Sequence, residues 1–426
     1  MNSNHYNPAV VGQVAFAASV IFSVLALAPA RTFFLANSLK NTLTIASMTS
    51  DASSTIQSSD EEAYTKSLRA ISDAFDANDF HPSHWFGRNP HWQTIIGTGA
   101  LKGRVFGHKQ RSFATTEEVI TTYDGDFFDV DFTSNVSTAE SLVIILHGLE
   151  SSNKGELVTN FAEAMLSRGF GCVLPCFRGC SGKTHVNPGG YHMGFTDDMN
   201  RLVDVLNERY PDKHIYLCGF SLGGNVCLKF LGEQGRTAWK RNIRGAAVTC
   251  VPFDPVACHL KIDVGFNRAV YSENFLQTIK AKAEQQYVMF PGSFDITPVR
   301  NAKTIGEIDD YYISKLYGYE DKFDYYAKCG SKWFLHKIRV PVLAINAIDD
   351  PFIESSSLPT EKDVKDAPVR LVYHPHGGHC GFATKYMNSR ENAPRVPEYG
   401  WLGEELSRAL DHIRTGVKQV THTGST

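Results

Sequence analysis

This sequence of 426 residues has no large excess of positive or of negative charge. The 42 Lys and Arg residues nearly balance the 45 Asp and Glu residues, and the formal net charge is −3 at pH 7. The chain therefore presents no broad basic field, which argues against nucleic acid as its main partner. A mean hydropathy of −0.22 excludes a polytopic membrane protein. With 42% hydrophobic and 20% charged residues, the composition is that of a packed globular protein.

Cysteine is present, but without the pattern of a disulfide or zinc framework. The nine cysteines are an odd number scattered through the chain, unlike a disulfide-rich fold. Cys172, Cys176 and Cys180 are spaced by four, but no Cys-x-x-Cys pair or neighbouring histidine pair completes a zinc site. We therefore expect no metal ion, and the chemistry inferred below needs no organic cofactor.

Charged residues are absent from one stretch, Val10–Ala30. A helix of this length would cross a hydrocarbon core of ~30 Å. We predict a single membrane anchor, with two alternatives: a cleaved targeting or secretory signal ending near residues 28–30, or a buried helix. Arg31 and Lys40 follow the stretch, and the positive-inside rule would leave the downstream chain in the cytosol.

Composition divides the rest of the chain. Residues 46–67 are rich in Ser, Thr and Asp, as expected of a solvated linker. Between Asp254 and Arg339, helical pieces rich in Phe and Tyr separate two predicted strands, so this stretch can lie over the sheet edge as a cap. We predict an N-terminal apolar anchor or targeting segment over 1–45, a linker over 46–80, a catalytic domain over 81–418 with the cap at about 254–339, and a tail over 419–426.

Short apolar runs, typical of strands buried on both faces of a sheet, recur through the domain. Patterns of helical spacing separate most of them, and Thr196 is expected to cap one of these helices. This alternation predicts an α/β fold with a mostly parallel sheet flanked by helices, whose ligands bind beyond the carboxyl ends of the strands. The predicted strands are Glu118–Tyr123, Phe128–Phe132, Leu142–Leu146, Phe170–Pro175, His214–Cys218, Ile243–Val251, Val342–Ala347 and Val369–Tyr373.

The most informative motif is a Gly-Phe-Ser-Leu-Gly run around Ser221, between a predicted strand and a predicted helix. Gly-x-Ser-x-Gly in this context predicts a tight turn that lifts a nucleophilic serine to the top of the sheet. The helix start would supply backbone N–H groups and a positive dipole end for a developing anion. Ser221 is therefore the predicted nucleophile.

A serine nucleophile needs a base and an acid that orients the base, and both follow later in the chain. Asp349 and Asp350 come after one predicted strand, and we favour Asp350 because it directly precedes a proline that starts a loop. His379 lies in a Gly-Gly-His-x-Gly loop after the last predicted strand, and such a loop can swing an imidazole over the serine. His374 and His376 are the alternatives to His379 as the base.

A His-Gly dipeptide at 147–148 follows a buried predicted strand. A turn there would point a backbone N–H at the oxyanion of a reacting carbonyl group. We predict the N–H groups of Leu149 and Leu222 as the two donors, each worth ~3 kcal/mol by analogy with oxyanion-hole deletions. Glu150 is the alternative to Leu149, and Arg178 is expected to brace a neighbouring loop.

Together these motifs resemble a branch of the α/β-hydrolase-domain proteins that contains plant embryogenesis-associated proteins, bacterial YheT-type esterases and animal membrane-anchored relatives. The likeness covers roughly Phe86 to Leu410, and the combination is far more specific than any single motif. The matching stretches are Asn89–Thr94, Asp124–Asp126, His147–Glu150, Phe177–Gly182, Gly219–Gly224, Glu307–Asp310, Asp349–Pro351 and Gly377–His379.

The resemblance implies an α/β-hydrolase fold and hydrolysis of carboxylic esters, including acylglycerols and phospholipids. Such relatives are usually described with the catalytic domain outside the cytosol, contrary to the charges after Val10–Ala30, so sidedness stays open. The family also suggests a His-x4-Asp acyltransferase motif, whose spacing His192 and Asp197 fit. The position of Asp197 at a predicted helix start also suits a carboxylate without any catalytic role.

We expect hydrolysis of lipophilic acyl esters, such as monoacylglycerols, by a triad of Ser221, Asp350 and His379 through an acyl-enzyme. The expected partners are that ester and a membrane contacted by the N-terminal segment, with no nucleic acid and no obligate protein partner. The alternatives are an acyltransferase or a noncatalytic lipid or ligand receptor on the same fold.

Overall fold

The computed structural model describes residues 62–82, 87–97, 111–384, 387–389, 392–395 and 398–423. From Ala63 on, the described residues belong to one compact unit. The predicted anchor at Val10–Ala30 lies outside the described residues. No helix within the described ranges combines the length and the apolarity that crossing a bilayer requires.

Eight strands of the described chain form one sheet. Their bounds are β1 Thr115–Thr121, β2 Phe127–Thr133, β3 Ser141–Leu146, β4 Gly171–Pro175, β5 His214–Phe220, β6 Ile243–Thr249, β7 Val342–Ala347 and β8 Val369–His374. The order in the sheet is β1-β2-β4-β3-β5-β6-β7-β8. All neighbours from β4 to β8 are parallel, whereas β2 pairs antiparallel with both β1 and β4. The predicted α/β class and mostly parallel sheet are confirmed.

Strand β3 shows why the sheet is buried on both faces. All its residues are buried. Leu142, Ile144 and Leu146 pack into the core on one face, whereas Val143 and Ile145 pack into the core on the other. Because side chains alternate between the faces of a strand, a wholly apolar run is what a strand between two helical layers requires.

Helices cover both faces of the sheet. Asp197–Arg209 and Leu222–Gln234 pack on one face, and Glu156–Ser167 and Gly400–Thr423 pack on the other. The other helices outside the insertion described next are 62–73, Pro90–Gly97, Thr237–Lys240, Ser355–Ser357 and Glu361–Val364, and a separate small sheet pairs Met387–Ser389 with Asn392–Arg395.

The chain between β6 and β7 forms a helical insertion, defined here as residues 250–341. It has a hydrophobic core of its own, which includes Leu276, Phe294 and Tyr312. Since β6 runs parallel to β5, the insertion leaves the sheet at the edge where β5 also ends. Its helical elements are Pro255–Ile262, Gly265–Asn267, Arg268–Ser272, Glu273–Met289, Ile296–Asn301, Ile305–Ile308, Asp309–Ile313, Ser314–Tyr317, Lys322–Cys329 and Ser331–Lys337.

The predicted linker over 46–80 is wrong from residue 62 on. A helix covers 62–73, and its Leu68 and Ile71 are buried in the core of the domain. Phe75, just beyond the helix, is buried in the same core. The spacing of these three residues, i, i+3 and i+7, gives the segment one apolar face, and burying that face holds it on the domain.

Two predictions at other helix ends are also wrong. The predicted tail over 419–426 overlaps the last helix, which continues to Thr423 because its buried stripe continues as far as Val417. Thr196 precedes its helix, but the hydroxyl does not cap it and instead donates to the Glu233 carboxylate at 2.6 Å. The Thr196 backbone, at φ −102° and ψ −5°, is in the helical region, whereas a capping residue has an extended backbone.

Replacing Leu68 tests whether the 62–73 helix belongs to the domain. Leu68 is 1% exposed, so Leu68→Ala is expected to lower the free energy of unfolding by about 2–5 kcal/mol through the cavity it leaves. Leu260 is 59% exposed, and the control Leu260→Ala is expected to change it by about 0.5 kcal/mol or less. Urea unfolding followed by circular dichroism measures both; equal stability of the two variants would contradict the packing.

Candidate active site

Ser221 occupies a tight turn at the carboxyl edge of the sheet. It lies between the end of β5 and the start of the next helix, with φ 54° and ψ −128°. A Cβ atom at Gly223 would lie 2.4 Å from the carbonyl oxygen of His147, and one at Gly219 would lie 2.7 Å from the carbonyl oxygen of Gly223. Both glycines are therefore required by close backbone contacts around the serine.

A continuous chain of hydrogen bonds starts at this serine. Ser221 Oγ is 2.8 Å from His379 Nε2, and His379 Nδ1 is 2.8 Å from Asp350 Oδ2. Asp350 is fully buried, and its other oxygen accepts the backbone N–H of Phe352 at 2.8 Å. The structure thus brings together the three residues predicted as nucleophile, base and acid.

The neighbouring carboxylate, Asp349, has a different set of partners. It accepts the backbone N–H of Gly378 at 3.0 Å and lies 3.1 Å from Nδ1 of His376. Asp349 therefore holds the loop that carries His379, whereas Asp350 contacts the His379 ring itself. The two adjacent aspartates therefore have separate roles, one in fixing the loop and the other in orienting the imidazole.

The His379 loop packs tightly on the helix Pro90–Gly97. A Cβ atom at Gly378 would lie 2.5 Å from a backbone oxygen of this helix, and one at Gly381 would lie 2.3 Å from another. Thr94 Oγ1 accepts the backbone N–H of His379 at 2.9 Å. Gly378 and Gly381 therefore allow the loop to pack closely on this helix, and that packing fixes the loop.

Two opposing influences set the charge state of the His379 ring. Phe352 stacks on it with ring centroids 4.1 Å apart, and the side chain is buried. Burial lowers the pKa of His379 and the Asp350 carboxylate raises it, with a net shift upward from the ordinary value. An imidazolium formed at this position is thus stabilised by the carboxylate.

The turn after β3, defined as His147–Glu150 and called the β3 turn, lies beside Ser221, because a Cβ atom at Gly148 would lie 3.3 Å from Ser221 Cβ. Glu150 N–H donates to the Tyr191 hydroxyl at 2.7 Å. In the described part of the chain, the backbone N–H groups of Leu149 and Leu222 have no hydrogen-bond acceptor. Of the two alternatives from the sequence, Leu149 is thus the one whose N–H is free for a ligand.

His147 fixes the β3 turn from within the core. Its Nδ1 donates to the carbonyl oxygen of Gly148 at 2.8 Å, and its Nε2 accepts the backbone N–H of Phe177 at 3.0 Å. These partners require the neutral tautomer with its proton on Nδ1. Burial lowers the pKa of His147 to about 4, so the ring stays neutral near pH 7.

Arg178 binds carboxylates around the loop that follows β4. It donates to Asp124 at 2.7 Å and to Asp198 at 2.6 Å, and its guanidinium lies 4.9 Å from the centroid of the Phe195 ring. These contacts tie the loop to the β1–β2 turn and to a helix start. They agree with the bracing role predicted for Arg178.

Ser221 borders a cavity of about 390 Å³. Residues of the helical insertion, Phe352 of the loop after β7, Ser221 and His379 all line it. The apolar side chains around it are Ile95, Leu149, Leu157, Phe220, Val270, Phe275 and Phe352, joined by the half-apolar Tyr271. A mostly apolar cavity that also contains the serine and the histidine suits a ligand with an apolar chain next to a polar reacting group.

His192 and Asp197 are not brought together. Within the described ranges no hydrogen bond or ion pair joins them; His192 is buried, and its Nδ1 accepts the N–H of Gly194 at 3.1 Å. Burial lowers the pKa of His192 to about 3. Asp197 is exposed at the start of its helix, so the spacing reflects helix geometry and packing.

The residues that the structure describes include no group of three or more His, Cys, Asp or Glu side chains arranged to hold a metal ion. All nine cysteines are free thiols. Burial raises the pKa of Cys172 and of Cys218, which disfavours the thiolate form that binds metals. These two cysteines act as small apolar side chains of the core.

Three residues at the site were given no role from the sequence: Thr94, which lies in the matching stretch Asn89–Thr94, and Phe352 and Tyr191. One of them had a local signal. Asn89 accepts the backbone N–H of His91 at 3.0 Å at the start of the helix Pro90–Gly97, and Asn-Pro is a recognisable helix start that would have placed Thr94 on a helix. Tyr191 contacts Glu150 across 41 residues, for which sequence spacing offers no signal.

Comparisons with known proteins identify the family of the chain. A family model described as the alpha/beta hydrolase fold matches residues 141–386. The Escherichia coli protein YheT, whose name assigns it provisionally to the esterases, is 31% identical over 72% of this chain and 89% of its own. Human Phospholipase ABHD3 is 26% identical over 71% of this chain and 73% of its own. Monoacylglycerol lipase ABHD2 of Mus musculus is 24% identical over 71% and 74%.

The opposing influences on His379 can be separated by NMR titration of its ring nitrogens. In the unmodified protein, the pKa of His379 is expected above its ordinary value of about 6.5. In Asp350→Asn, burial is no longer opposed by a carboxylate, so the pKa of His379 is expected to fall below that value. His374, whose pKa burial lowers to about 4, serves as the internal control. An unchanged His379 titration in Asp350→Asn would refute the assignment of the carboxylate.

Proposed function

The chain belongs to the α/β-hydrolase family as a carboxylic ester hydrolase, and on that premise we propose that it cleaves lipid acyl esters through Ser221, His379 and Asp350. The observation that carries the proposal is the unbroken hydrogen-bond chain from Ser221 Oγ through His379 to Asp350, with both contacts at 2.8 Å. This is the arrangement that nucleophilic catalysis by serine requires.

In the proposed first step, Ser221 Oγ attacks the ester carbonyl carbon while His379 Nε2 takes the hydroxyl proton. Asp350 holds the tautomer with the proton on Nδ1 and stabilises the imidazolium that forms. The carbonyl oxygen becomes an oxyanion, which accepts hydrogen bonds from the N–H groups of Leu149 and Leu222. His379 then returns the proton to the departing alkoxide, and the acyl group stays on Ser221.

In the second step, water replaces the alcohol. His379 takes a proton from the water as its oxygen attacks the acyl carbon, and a second tetrahedral oxyanion forms between the same N–H donors. Collapse of that intermediate breaks the bond to Ser221 Oγ, which receives the proton from His379. The products are a carboxylic acid and an alcohol, and the enzyme is restored.

The substrate class is inferred from the cavity and from relatives. The cavity beside Ser221 is lined largely by apolar side chains, including Val270 and Phe275 from the insertion, which favours a substrate with a long apolar chain. Two relatives are named for lipid substrates, a phospholipase and a monoacylglycerol lipase. We propose an acyl lipid such as a monoacylglycerol, reached at a membrane through an anchor at Val10–Ala30.

The two adjacent aspartates offer a sharp test of the triad. Asp350→Asn is expected to lower kcat by about 10⁴-fold because it stabilises the wrong imidazole tautomer. Asp349→Asn, its matched control, removes a loop contact only and is expected to cost less than about tenfold. Initial rates on a monoacylglycerol measure both, and Ser221→Ala is expected to abolish turnover.

The outcomes distinguish hydrolysis by this triad from a different choice of acid, from an acyltransferase and from a noncatalytic receptor. Near-normal turnover in Asp350→Asn, or a larger loss in Asp349→Asn, would refute the choice of acid. Acyl esters of an added alcohol as the main product would indicate an acyltransferase. Ligand binding without turnover on monoacylglycerols, phospholipids and short esters would indicate a receptor.

Substitution of a residue that lines the apolar cavity tests whether the acyl chain binds there. Phe275→Asp is expected to lower kcat/KM for a long-chain monoacylglycerol by about tenfold or more, since a buried aromatic contact contributes about 1.5–3 kcal/mol. The rate on p-nitrophenyl acetate, which lacks a long chain, is expected to change little. Phe323→Asp is the control, because Phe323 is exposed and lies outside the cavity. Equal losses on both esters would count against binding of the chain in this cavity.

A further inference from the structure

We infer that Lys282 of the helical insertion and Glu150 act together as positioning residues that hold the Leu149 N–H in place for the oxyanion. The inference rests on the proposed ester hydrolysis at Ser221. Lys282 Nζ donates to Glu150 Oε1 at 2.8 Å, and the Glu150 side chain is only 7% exposed. One partly buried ion pair thus joins the insertion to the β3 turn.

The backbone of Glu150 explains why the turn needs this support. Glu150 has φ 55°, in the left-handed region that a non-glycine residue adopts only when its surroundings fix it. Three hydrogen bonds hold it there: Glu150 N–H donates to the Tyr191 hydroxyl at 2.7 Å, the hydroxyl donates back to Glu150 Oε1 at 3.0 Å, and Lys282 donates to the same oxygen.

The peptide groups on both sides of Leu149 are fixed in this way. The carbonyl of Gly148 accepts a hydrogen bond from His147 Nδ1. That carbonyl and the Leu149 N–H belong to one trans peptide group and point in opposite directions. The following peptide group is held through Glu150 N–H on Tyr191. The direction of the Leu149 N–H is therefore set before it by His147 and after it by the hydrogen-bonded group of Glu150, Tyr191 and Lys282, called the Glu150 cluster.

Lys282 completes the cluster from outside the sheet. Its ammonium group lies 5.7 Å from the centroid of the Tyr191 ring and also donates to Cys180 Sγ at 3.4 Å. It belongs to the helix Glu273–Met289, which also supplies Phe275 to the cavity beside Ser221. The same helix therefore borders the substrate cavity and helps to orient the Leu149 N–H. A high kcat thus requires that the insertion packs correctly on the β3 turn.

The test is the kinetics of Lys282→Met on the full chain. Loss of the ammonium group is expected to lower kcat by between about tenfold and a hundredfold, because a small misplacement of a catalytic donor has effects of that size. KM is expected to stay within about twofold. Affinity for a trifluoromethyl ketone, which forms an oxyanion on the serine, is expected to fall by the same factor as kcat/KM. Lys282→Arg, which keeps the charge, is expected to recover most of the loss.

Lys280 offers the matched control. It lies on the same helix, but its ammonium group donates to the backbone carbonyls of Arg300 and Ala302 within the insertion. Lys280→Met is expected to leave kcat and the ketone affinity unchanged. If Lys282→Met folds poorly, Glu150→Gln tests the same cluster, and the Glu150→Gln, Lys282→Met double variant is expected to lose less than the product of the two single losses.

The results separate this inference from the proposed function. Normal kcat in Lys282→Met, a loss confined to KM, or an equal loss in Lys280→Met would overturn the positioning role while Ser221-dependent hydrolysis stands. Full turnover in Ser221→Ala would overturn both, because no oxyanion would then form beside Leu149.

Discussion

The turn at Ser221 is the constraint on which the rest of the site depends. Its left-handed backbone is costly for a residue with a side chain, by about 1–3 kcal/mol, and persists only where the surroundings impose it. Here the serine N–H donates to the carbonyl oxygen of Thr249 at 3.0 Å on β6, and Gly223 lies against the carbonyl of His147. The buried sheet on either side of β5 supplies the stability that keeps the serine in this conformation.

The parallel sheet brings residues that are distant in the chain to this turn. Ser221, the β3 turn, Asp350 and His379 follow strands β5, β3, β7 and β8, and the carboxyl ends of parallel strands meet at one edge. The distances between them are therefore set by strand order and register, and the loops add only the final contacts. The helix Pro90–Gly97 provides one such contact, because Thr94 accepts the N–H of His379.

Local patterns in the sequence predicted the parts of the site that depend on backbone geometry. Glycines mark Ser221 and His379 because close backbone contacts exclude a Cβ atom at those positions. Spacing alone does not separate Asp349 from Asp350, since adjacent carboxylates point to different partners only once the loop is folded. The contact between Lys282 and Glu150 spans 132 residues, and no spacing rule relates them. The 62–73 helix was missed because a Ser- and Asp-rich neighbourhood obscured its apolar spacing.

The central claim is that Ser221 is the nucleophile of an ester hydrolase, and identification of the residue that a serine-directed reagent modifies tests it most directly. The protein would be treated with a fluorophosphonate and digested, and its peptides analysed by mass spectrometry, alongside residual monoacylglycerol hydrolysis. The account predicts one adduct, on Ser221, whose extent matches the loss of hydrolysis. An adduct on another residue, or hydrolysis that persists with Ser221 fully modified, would contradict it.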